Sequence, residues 1–78
     1  MPTVLRWQGY KFLFFSLEEG EPPHVHVTKG GGQAKFWLSD CRLVRASGSA
    51  DRELRQIQRK VEEHREELPR AWHEHVGT

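Results

Sequence analysis

Residues 49–68 read SADRELRQIQRKVEEHREEL, and their apolar positions decide the fold class. Leu54, Ile57, Val61, His64 and Leu68 recur at spacings of 3, 4, 3 and 4. Alternation between three and four keeps side chains on one face of a 3.6-residue turn, so the stretch predicts an amphipathic helix with one buried stripe. Ser49 offers an N-cap hydroxyl, with Asp51 and Glu53 in the first turn. Pro69 ends or kinks this helix. A short second helix then runs from Pro69 to about Val76, with Pro69 in its first turn and Trp72 against the same core.

Upstream the period changes from 3.6 to 2. Thr3–Gln8 is a short strand, and Gln8-Gly9 a tight turn. Tyr10–Ser16 is the most apolar strand, with Tyr10, Phe12 and Phe14 on one face and Lys11, Leu13 and Phe15 on the other. Aromatic crowding on both faces predicts a central strand covered on both sides. Glu18–Pro23 is a loop whose paired prolines hold the backbone extended. They deliver His24–Thr28 as a third strand. Lys29-Gly30-Gly31-Gly32 is a hairpin turn into Gln33–Leu38, which sets Ala34, Phe36 and Leu38 on one face and Lys35 and Trp37 on the other. A fifth strand over Arg42–Arg45 completes an antiparallel meander. The expected fold is α+β in one domain, 1–78: a small antiparallel sheet of four to five strands over 1–45, then C-terminal helices over 49–76 packed on one face.

Composition bounds the function. The chain has 78 residues, 36% hydrophobic and 29% charged, with 12 basic against 11 acidic side chains and a net charge of +1. Bulk charge does not indicate a strongly basic nucleic-acid binder. The single Cys41 excludes an internal disulfide and has no activating neighbour in sequence. No apolar run approaches a membrane span, and no export signal is visible, so a cytoplasmic setting without membrane partners is expected. The glycine triplet lacks the Gly-Lys-Ser/Thr ending of a phosphate loop.

The histidines carry the chemistry. His24 and His26 alternate with Val25 and Val27, so their rings share one face of a strand. His64 interrupts the apolar stripe of the helix. Three imidazoles converging would suit zinc or another divalent metal, with Glu21 or Glu63 as a further ligand, and three protein ligands plus water suit hydrolysis. Without a metal, one His as base, another as acid and a neighbouring Lys or Arg would suit cleavage of RNA. The structural alternative has His64 at the core edge bonding a backbone carbonyl, and His24 satisfying loop groups after the prolines. Geometry separates these readings: if Val25 and Val27 face the helix, His24 and His26 face away from it and His64 cannot join them. His73 and His75 are expected at the surface.

Charge is uneven along the helix. Residues 42–60 carry six basic and two acidic side chains, residues 61–78 two basic and five acidic. This polarity fits either a solvated face laced by pairs such as Arg59–Glu63 and Glu66–Arg70, or a dipolar docking surface.

Three segments together resemble a known family: Met1-Pro2-Thr3-Val4, Glu21-Pro22-Pro23-His24-Val25-His26-Val27, and His64-Arg65-Glu66-Glu67-Leu68 followed by Trp72. The chain is similar over nearly its whole length to the bacterial domain of unknown function family 4160, and departs from it at Pro69. The resemblance implies a compact α+β domain with no assigned chemistry. Family members often stand beside a second small protein in an arrangement like a toxin–antitoxin pair. It therefore implies an interaction module with a small companion protein, against the histidine site (His24, His26, His64) as the alternative.

Overall fold

The computed structural model describes residues 3–14 and 20–76 of the chain. Five strands precede two helices: β1 (Thr3–Trp7), β2 (Tyr10–Leu13), β3 (His24–Lys29), β4 (Gly32–Trp37), β5 (Leu43–Ser47), α1 (Asp51–Glu63) and α2 (Glu67–Val76). The strands form one sheet in the order β1-β2-β3-β4-β5, every neighbouring pair antiparallel. The fold is the α+β meander that the sequence predicts. Phe15 and Ser16, the end of the predicted second strand, lie outside the described residues, as do Met1, Pro2, Glu18 and Glu19.

Turn chemistry fixes the register. Gln8 and Gly9 both take positive φ, 48° and 84°, which is the geometry of a two-residue hairpin whose twist matches its strands. Gly30-Gly31 turns the chain so that Lys29 pairs with Gly32, and counting back sets Val27 opposite Ala34, His26 opposite Lys35 and His24 opposite Trp37. Between β4 and β5 the register slips: Lys35 pairs with Arg45 but Phe36 with Leu43, leaving Val44 as an extra residue. The last strand runs over Leu43–Ser47, beyond the Arg42–Arg45 expected from sequence, and carries this bulge at Val44.

The helices cover one face of the sheet. Phe12, Phe14, Val25, Val27 and Phe36 meet Ile57 and Val61 of α1, all with at most 1% exposure. Burying each such side chain contributes roughly 1.5–3 kcal/mol, which makes this face the main source of stability. Leu68 and Trp72 of α2 join the same core. The strand enclosed on both faces is β3, where His24 through Val27 are all buried. In β2, where sequence placed that role, Lys11 is exposed.

Two helix ends differ from expectation. The N-cap of α1 is Ala50, not Ser49. Glu53 supplies the cap from within the helix, its carboxylate accepting the Ala50 N–H at 3.3 Å. The break between helices falls at His64–Glu66, before Pro69, which sits third in α2. A proline ring collides with the carbonyl four residues back, here Arg65, so the helix must open there rather than at the proline itself. His64 caps α1, its Nδ1 donating to the Lys60 carbonyl at 3.0 Å.

Candidate binding site on the face away from the helices

Because Val25 and Val27 point into the helix-covered core, His24 and His26 lie on the opposite face. Their ring centroids are 5.1 Å apart, and they are 0% and 7% exposed. His24 is held on several sides. Its Nδ1 meets the Pro22 carbonyl at 2.9 Å, and a carbonyl only accepts, so the proton of this contact sits on Nδ1. The ring lies 5.0 Å from Trp72 and 6.0 Å from Trp37. Trp72 also meets Phe14 edge-on at 5.4 Å, so α2 closes this end of the sheet. His24 is therefore held between the proline loop and two indoles.

His26 stands beside a different set of groups. Its cross-strand partner Lys35 is 5% exposed, and the Lys35 Nζ donates to Glu21 Oε1 at 2.6 Å. The same ammonium lies 5.3 Å over the Trp37 ring. Arg45 follows Lys35 across the next strand pair, and Ser47 follows Gln33. His26, Gln33, Lys35, Arg45 and Ser47 together line an open cavity of about 250 Å³. The Arg45 guanidinium, the Lys35 ammonium already paired with Glu21, an imidazole, an amide and a hydroxyl make a polar recess with Arg45 as the cation that could meet an anionic group.

The structure thus brings His24 and His26 together and sets His64 elsewhere. His64 lines a separate cavity of about 280 Å³ between β1 and α2, with Val4, Leu5, Glu67 and Arg70. Glu63 is bound to Lys60 at 3.2 Å, and Glu21 to Lys35. Among the described residues no group of three or more His, Cys, Asp or Glu side chains could hold a metal ion. His73 is exposed, and the His75 side chain lies outside the described residues. Cys41 is buried with its backbone at φ 61°. Burial first, then the charges of Glu62 and Asp40, pushes its thiol up and disfavours the reactive thiolate.

Sequence reasoning missed Lys35, Arg45, Gln33 and Ser47. The signal was available for the first: a lysine inside the apolar run Ala34–Leu38 falls opposite His26 once the turn is centred on Gly30-Gly31. Arg45 needed the bulge at Val44, which no local pattern announces.

A second feature adjoins the cavity. All five residues of β5 are exposed, including Leu43 at 41% and Val44 at 37%. Among the described strands only β4 pairs with it. On its helix side, Leu43 lines a groove of about 350 Å³ with Leu54, Arg55, Gln58 and Asp51 of α1. No helix among the described residues is long and apolar enough to cross a membrane.

Comparison with curated proteins and with solved structures gives no match. The family model described as Domain of unknown function (DUF4160) matches residues 9–73, spanning the sheet from the first hairpin turn, the Pro-Pro-His-Val-His segment and both helices through Trp72. This chain belongs to that family, whose description assigns no activity.

Proposed function

We infer that the chain is a small bacterial interaction module, one component of a two-protein system of the toxin–antitoxin kind, and that it takes its companion on β5. One observation carries this reading: an edge strand with five consecutive exposed residues, two of them large and apolar. An unpaired edge displays a row of backbone donors and acceptors, and a protein that keeps one open beside an apolar groove offers a template for strand addition. The test is co-expression with the product of the neighbouring gene. The expected result is a stable complex that is lost in Leu43→Ser while the thermal midpoint stays unchanged. A strictly monomeric chain that does not retain its companion would overturn the reading.

A second reading is favoured by the 5.1 Å approach of His24 and His26 next to Lys35 and Arg45. Here His26 is the acid or base on an RNA phosphodiester, Arg45 stabilises the developing charge, and His24 orients His26. Its metal version rests on the same two imidazoles binding zinc or another divalent ion, with His64 serving as the α1 cap and not as a ligand. Zinc calorimetry on the protein and on His26→Ala decides the metal version. Binding lost in the variant supports it, and absence of heat at micromolar zinc removes it.

A further inference from the structure

Resting on the interaction reading, we propose that the segment β5 receives is an extended, acidic–apolar alternating strand of the companion, read on one face by Arg45 and on the other by the Leu43–Leu54 groove. The register supplies the geometry. Arg45 pairs with Lys35 and Lys35 with His26, so Arg45 belongs to the face away from the helices. Leu43 pairs with Phe36 and belongs to the helix face, where it lines the groove with Leu54. A strand added to β5 alternates its side chains between those two faces. Every second residue meets the rim of the polar cavity of His26, Lys35 and Arg45. The residues between them meet the apolar groove.

Charge selects the occupant. Of the six basic side chains in residues 42–60, Arg42 and Arg45 lie beside and on β5 and Arg55 lines the groove, against Asp51 and Glu53, while Lys60 is paired with Glu63 at the β1 side. The Glu53 carboxylate is taken by the Tyr10 hydroxyl and the Ala50 amide. Asp51, at the first position of α1, is the acid of the groove, with Arg55 beside it. Two copies of this chain joined edge to edge would bring both sets of Arg42, Arg45 and Arg55 to one seam, which like-charge repulsion opposes. The bulge and the arginines thus guard the edge against its own copies and leave it open to an acidic strand.

The test uses blocked octapeptides as probes, read by amide chemical shifts of the intact protein. One alternates Asp and Val, one Lys and Val. The Asp/Val probe is expected to shift Leu43–Ser47 at up to about 1 mM and to lose roughly tenfold in affinity in Arg45→Glu. The Lys/Val probe is expected to bind only that variant. Arg45 is exposed, so the variant keeps its fold, which its thermal midpoint verifies. Equal binding of both probes to the wild type would overturn the acidic selection and leave edge docking standing. Failure of both probes at β5, with the companion still bound there, would overturn the proposed strand chemistry alone. Companion binding away from β5 would overturn the interaction reading as well. A uridine octanucleotide that shifts Lys35 and Arg45 at lower concentration than the Asp/Val probe would replace the peptide with nucleic acid.

Discussion

The two edges of the sheet are built to opposite ends. At β1, Val4, Leu5 and Trp7 are half-buried and pack against the core. The Trp7 ring stacks on Tyr10 at 5.5 Å and carries the Lys60 ammonium 5.2 Å from its centroid. His64, Leu68 and Ala71 close on Val4 and Leu5 from the helix side. At β5 nothing comparable is present among the described residues: five side chains are exposed, and α1 leaves a groove beside Leu43. Both edges carry Arg and both end a five-stranded meander, so strand propensity does not separate them. The helices do. After the opening at His64–Glu66, α2 faces Val4 and Leu5 of β1, while α1 borders β5 across the Leu43 groove. One edge is packed against the core, and the other is exposed.

Loosening α2 breaks this contrast most strongly. Trp72→Ala deletes the contacts with Phe14 and His24 that pin α2. A loss of about 3–5 kcal/mol in unfolding free energy is expected from denaturant titration, with faster hydrogen exchange across Thr3–Trp7. Gly48→Ala strikes the end of β5 next. Gly48 has φ 73°, and a Cβ there would lie 2.5 Å from the Gly31 carbonyl oxygen. Strain and displacement together cost about 1–3 kcal/mol, read in the same titration, and the β5 bulge should lose its protection.

A smaller effect is expected at the junction of β2 and α1. The Tyr10 hydroxyl donates to Glu53 Oε2 at 2.7 Å. That bond first, and the Ala50 amide second, hold the Glu53 carboxyl below its usual range. The same bond first, then burial and the Glu53 charge, raises the Tyr10 hydroxyl. A lowered carboxyl contributes stability above its unfolded value, and that contribution disappears as pH falls through the folded one. The raised phenol contributes below its unfolded value and ceases to do so as pH rises through its own folded one. Tyr10→Phe is therefore expected to lower the thermal midpoint at pH 7. The gap to wild type should close on the acid side of the carboxylate range and again above the ordinary tyrosine range. A gap of constant size across pH would contradict the bond. Leu43→Ser, at 41% exposure, should change stability by less than about 0.5 kcal/mol while abolishing companion binding. That pairing of small and large effects is what distinguishes a docking edge from a covered one.

Most of the scaffold is legible in the sequence because it rests on local rules. The 3-4-3-4 stripe gives α1, the alternation and turn residues give a sheet of four to five strands, and Gln8-Gly9 and the glycine triplet give two hairpins. What escaped depends on tertiary facts. The cap at Ala50 follows from Glu53 reaching back, so Ser49 is not needed. The helix break precedes Pro69 because the ring acts on the carbonyl of Arg65. His64 looks like a ligand in a helical stripe and is a C-terminal cap, a role the sequence permits only once the break is placed. Half of the histidine pattern is local: alternation alone puts His24 beside His26. The cavity around His26 is not, since Lys35 and Arg45 arrive through two strand registers and a bulge.

The most direct measurement is amide chemical-shift mapping of the protein titrated with its companion. The account predicts that the largest changes fall on Leu43–Ser47, with smaller ones at Leu54, Arg55 and Gln58 across the groove. Changes centred on β1 or on the outer face of α2, with Leu43–Ser47 unmoved, would contradict it.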